Sequence, residues 1–80
     1  MHEWSITEKV VNSILRNSRE NGIKKVNRVV LSVGEDIDFL DSIEFCFEML
    51  SKGTIIEGAK LEIKKSQEKG IIIDSIDGEQ

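Results

Sequence analysis

His2 is the sole histidine of the chain and stands one residue from the α-amino group of Met1. That spacing makes a chelate. The Met1 amine, the His2 backbone nitrogen and the His2 imidazole Nδ1 can close a five-membered and a six-membered ring on one metal ion. The backbone nitrogen or the carboxylate of Glu3 can supply a fourth donor. Nitrogen donors in one plane suit Ni(II) or Cu(II), which accept square-planar and tetragonal geometry. Zn(II) prefers a tetrahedron and gains less. Local chemistry leaves a plainer reading open, in which a lone terminal histidine is an incidental polar residue on a fraying end. Two details favour the chelate. A bulky second residue opposes removal of Met1 by an aminopeptidase that needs a small one, and a helix signal begins at Ser5, tethering the donors close to ordered structure.

The remaining reactive residues point to little chemistry. Glu35, Asp36, Asp38 and Asp41 place four carboxylates within seven residues. A calcium loop needs a longer ligand series, ordered glycines and a closing bidentate glutamate, which are missing. A solvated turn, with Asp41 capping the next helix, accounts for them. Cys46 lies in an apolar setting with no histidine or cationic cluster nearby, which describes a buried, inert thiol. No second histidine, no Ser–His–acid set and no glycine-rich phosphate loop is present, so an enzyme is not expected.

The elements that must position these residues follow from periodicity. Ser5-Ile6-Thr7-Glu8 has the form of a capping box. Behind it Ile6, Val10 and Ile14, widened by Val11 and Leu15, form the stripe of an amphipathic helix over about residues 5–21, closed by Asn21-Gly22. Val26 to Val33 is a strand with Val29, Leu31 and Val33 on one face and Val26 and Val30 on the other. Asp41-Ser42-Ile43-Glu44 repeats the capping pattern for a second helix, to about Ser51, with Ile43, Phe47 and Leu50 on its inner face and Phe45 off the stripe. Lys60 to Lys65 alternates Leu61 and Ile63 with charges. Ile71 to Ile76 is a further strand, with Ile71, Ile73 and Ser75 on one face and Ile72, Asp74 and Ile76 on the other. The five residues Ser66 to Gly70 between these strands predict an antiparallel hairpin. The segment around the second helix can be a right-handed crossover. The expected fold is α+β, with two helices packed on one face of a three-stranded mixed sheet in the order α-β-α-β-β.

Length and charge bound the function. Eighty residues make a single small domain over 1–80, burying only about 60% of its unfolded surface, with little room for a deep catalytic cleft. A net charge of −4 argues against nucleic acid and gives no reason to expect anionic membranes as partners. No apolar run reaches the roughly 18 residues of a membrane span and no signal peptide opens the chain, so the expected location is the cytoplasm. One cysteine excludes an internal disulfide and a multi-cysteine zinc site.

Several stretches together resemble a known family. These are Met1-His2-Glu3-Trp4-Ser5-Ile6, Val33-Gly34-Glu35, Phe45 to Leu50, and the run Lys52 to Ile63, of the form KGT-x-x-EGA-x-LEI. They are similar to the hydrogenase nickel-incorporation metallochaperones, the HypA/HybF family, over about residues 1–64 and again in the last strand. The resemblance implies a nickel domain in which Met1, His2 and Glu3 hold Ni(II). It implies delivery to a nickel–iron hydrogenase large-subunit precursor, and in some bacteria to urease, alongside a nickel-handling GTPase. Full members carry a zinc domain with paired Cys-x-x-Cys motifs between the last two strands. Here residues 66–70 stand in its place and offer no such ligands, so no zinc is expected. Metal binding must release protons, because the amine titrates near 7.7–8.0 and histidine near 6.5 as free groups, so acid favours release. The alternative is a protein-interaction or regulatory module of the same fold that has lost metal delivery.

Overall fold

The computed structural model describes the backbone of residues 2–80 and the side chains of residues 3–80. The chain forms α1 (His2–Glu20), β1 (Lys25–Gly34), α2 (Leu40–Ser51), β2 (Lys60–Ser66) and β3 (Ile71–Glu79). The two helices and the mixed three-stranded sheet follow the expected α-β-α-β-β order.

Strand order departs from expectation. The sheet runs β2-β1-β3, with β2 parallel and β3 antiparallel to β1. The hairpin expected between β2 and β3 does not form, because β1 lies between them. The reason is burial. β1 holds all the buried apolar strand residues, Val26, Val29, Val30, Leu31 and Val33, and a strand paired on both sides loses the most water. β2 is rich in lysine and glutamate, which suits an edge. The connection is still short enough. Strands two places apart lie about 9.6 Å from each other, and four extended residues span about 13 Å. The chain over residues 67–70 therefore crosses the end of β1, and Gly34 makes the crossing possible. A Cβ on Gly34 would collide with the Glu68 carbonyl oxygen and lie 2.9 Å from the Lys69 Cα. The Gly34 amide instead donates to the Gly70 carbonyl at 2.8 Å, and the Gly70 amide donates to Asp36 Oδ1 at 3.0 Å.

Two irregularities in the β1–β3 ladder rewrite the expected faces. The pairing shifts between Val26 and Arg28, leaving Asn27 without a partner on β3. That extra residue turns Val26 onto the face of Val29, Leu31 and Val33, where it is fully buried. A second shift pairs Val30 with Ser75 but Leu31 with Ile73, leaving Asp74 unpaired. Ile76 thereby joins Ile71 and Ile73 on the core face, and Ser75 turns outward. A bulge of one residue reverses the alternation beyond it.

The buried line of α1 is Thr7, Val11, Ile14 and Ser18, with Ile6, Val10 and Leu15 only partly covered. Thr7 Oγ1 satisfies itself on the Glu3 carbonyl at 2.7 Å. The helix ends as predicted at Gly22 (φ +71°). The Ile23 amide donates to the Ser18 carbonyl at 2.8 Å and the Gly22 amide to that of Arg19 at 3.2 Å, the paired bonds of a Schellman closure. Residues 52–59 form a hydrogen-bonded loop that seats Ile56, fully buried, in the core. Thr54 Oγ1 donates to the Ser51 carbonyl at 2.7 Å and accepts from the Ile56 amide at 3.0 Å, while the Gly53 amide donates to Glu57 Oε1 at 3.1 Å. The Val26 amide donates to the Ile55 carbonyl at 2.9 Å, tying this loop to β1.

Candidate metal centre

Helix α1 begins at His2, three residues before the expected cap, so Ser5 sits inside the first turns and does not act as N-cap. Nothing in Glu3-Trp4 opposes a helix, and Glu3 places a carboxylate in the first turn, where the positive end of the helix favours it. The amides of His2 and Glu3 now belong to the opening turn, whose N–H groups have no intrahelical acceptor and point beyond the helix start. Met1 and the His2 side chain lie outside the described residues, so the expected amine and imidazole donors are not located. Glu3 is partly exposed, and its carbonyl is held by buried Thr7.

The field at a helix start opposes a bare dication. Among the described residues, the Glu3 carboxylate in the first turn is the group that would offset that charge.

The first turn of α2 lies alongside that of α1. Glu3, Trp4 and Ser5 line one open groove together with Asp41, Ser42, Phe45 and Cys46. α2 starts at Leu40 with Phe39 as its N-cap residue and no side-chain cap bond. Asp41, expected as the cap, falls within the first turn instead, where its charge still meets the positive helix end. Cys46 is buried, as its apolar setting predicted. The four clustered carboxylates, Glu35, Asp36, Asp38 and Asp41, are all exposed, and Asp36 accepts from the Gly70 amide. Among the described residues no three His, Cys, Asp or Glu side chains converge as a metal cage. The groove itself was not anticipated from sequence. Its one signal was Phe45, displaced from the apolar stripe of α2.

A family model described as hydrogenase/urease nickel incorporation, metallochaperone, HypA, matches residues 1–71. The chain belongs to the HypA family. The hydrogenase maturation factor HypA of Archaeoglobus fulgidus is 45% identical over 64 residues, covering 79% of this chain and 58% of that protein. The factor of the same name from Geobacter sp. (strain M21) is 45% identical over 65 residues, 80% of this chain and 56% of the relative. That of Moorella thermoacetica is 39% identical over 66 residues, 81% and 58%. The chain therefore spans a little over half the length of these curated HypA relatives. The solution structure of the Ni metallochaperone HypA from Helicobacter pylori superposes with a TM-score of 0.81 at 15% identity, covering 95% of this chain and 96% of that one. At that identity the likeness shows the shared HypA fold.

Proposed function

We propose that this chain is a nickel carrier, not an enzyme, and that it binds Ni(II) through Met1, His2 and Glu3. On this reading it delivers the ion during maturation of a nickel–iron hydrogenase, or of urease, working with a nickel-handling GTPase and the hydrogenase large-subunit precursor in the cytoplasm. The observation that carries the proposal is the match of the HypA family model over residues 1–71, beginning where the α-amino group and the sole histidine are neighbours in sequence. Nickel is cargo in this scheme, and the chemistry is ligand exchange. A planar complex leaves its axial sides open to a partner's donors. Residues 1–80 act as one nickel-binding domain, with 66–70 in the place of the family's zinc module and no structural zinc. Among the described residues no helix is long and apolar enough to cross a membrane.

The test compares Ni(II) affinity across chains in one buffer. His2→Ala removes the imidazole, and one residue added before Met1 displaces the primary amine while leaving His2 intact. Both remove a direct donor and should weaken binding by at least the roughly 10–100-fold that loss of an outer-shell partner costs. Cys46→Ala should leave affinity unchanged. Equal affinity of the extended and native chains would remove the amine from the site.

A further inference from the structure

We propose that the groove between the first turns of α1 and α2 is a docking site for a partner segment that presents an apolar side chain flanked by lysine or arginine. The chain has only four aromatic residues, and two of them stand in the open on this one groove. Trp4 is 42% exposed and Phe45 62%. Isolated apolar exposure is ordinary, but two large rings sharing one cleft form a ready anchor. The groove encloses about 720 Å³, room for a bulky aliphatic or aromatic side chain with neighbours on either side.

Charge selects the occupant. The described lining holds the carboxylates of Glu3 and Asp41 and no cation. Across Asp41 and Ser42 the cleft continues into a second depression that adds Glu35 and Asp38 against the single ammonium of Lys65. The two helix starts contribute about half a positive charge each, and the described lining, four carboxylates to one ammonium, stays negative. A second copy of this chain would bring Glu3 and Asp41 against their own kind, which opposes self-association through this face. A cationic segment gains in both encounter rate and register. Trp4 belongs to the same helical turn as His2 and Glu3, so an occupant of the groove sits beside the helix start. Docking nevertheless rests on groove residues alone and does not require the nickel reading to hold.

The experiment pans a random library of displayed dodecapeptides on the full chain, then titrates enriched peptides against the emission of Trp4, the sole tryptophan. Enriched sequences should carry Lys or Arg around a Leu, Ile or Phe and shift Trp4 emission saturably. Phe45→Ala should weaken binding at least tenfold while retaining the native thermal transition and native Ni(II) affinity, since Phe45 is exposed and supplies no donor. The double change Asp38→Asn with Asp41→Asn should weaken binding and flatten its salt dependence. No enrichment, enrichment without basic residues, or undiminished binding to Phe45→Ala would overturn the proposal. So would a native dimer, seen by sedimentation, that Phe45→Ala dissociates.

Discussion

On the helix-free face of the sheet, Arg28 Nη2 donates to Glu62 Oε1 at 2.6 Å, with Asp77 3.8 Å from the same guanidinium. The hydrogen bond from Arg28, then its charge, holds the Glu62 carboxyl below the usual glutamate range. A carboxyl whose pKa is lowered by folding contributes stability that is present above its unfolded pKa and lost as pH falls through the folded value. Both groups are well exposed, so the contribution is small. Glu62→Gln should lower the urea midpoint slightly at pH 7, and the difference should close in acid. A difference that persists after Glu62 is protonated would assign the effect to something other than this pair. The register sets Val30 between Glu62 and Ser75, and the polar neighbours help to cover it although no helix does. Ser18 presents the opposite case, a buried hydroxyl with no partner among the described residues.

Elements differ in how far local pattern determines them. α1 was expected from its stripe and its glycine closure, yet its start moved to His2, because capping residues are also tolerated within a first turn. β3 was expected as a strand with the wrong second half. The bulge at Asp74 decides which of Ser75 and Ile76 faces the core, and the two assignments predict opposite mutational outcomes. With Ile76 inward, Ile76→Ser should cost about 1–2 kcal/mol, the scale for losing a half-buried aliphatic side chain. A charge at the outward position, Ser75→Lys, should stay within about 0.5 kcal/mol, as surface changes do. Urea unfolding of the two variants checks this, and the reverse order of costs would restore unbroken alternation.

At the scale of the molecule, the core of the described residues joins both helices, all three strands and the loop around Ile56, and Glu3 is not part of it. The chain should therefore fold as apoprotein. In excess chelator, circular dichroism should show one cooperative thermal transition, and elemental analysis of the native preparation should find no stoichiometric zinc. A disordered apo spectrum would mean that metal binding and folding are one event, as in zinc fingers.

What the sequence by itself determined is local. Apolar spacing located both helices and all three strands, Gly22 marked a helix end, and the position of His2 beside the amine named the candidate donors. The strings around Met1 and Lys52 to Ile63 indicated the family that the comparisons then showed. Only the tertiary structure decided which strands are neighbours, which residues are bulged, and which faces therefore meet. These are properties of pairing between residues about 30 to 50 positions apart, and a window of neighbouring residues carries no record of its partner. Gly34 shows the divide. In sequence it is the glycine that ends a strand. In the folded chain it is the place where residues 67–70 cross β1, so closely that a single methyl group has no room.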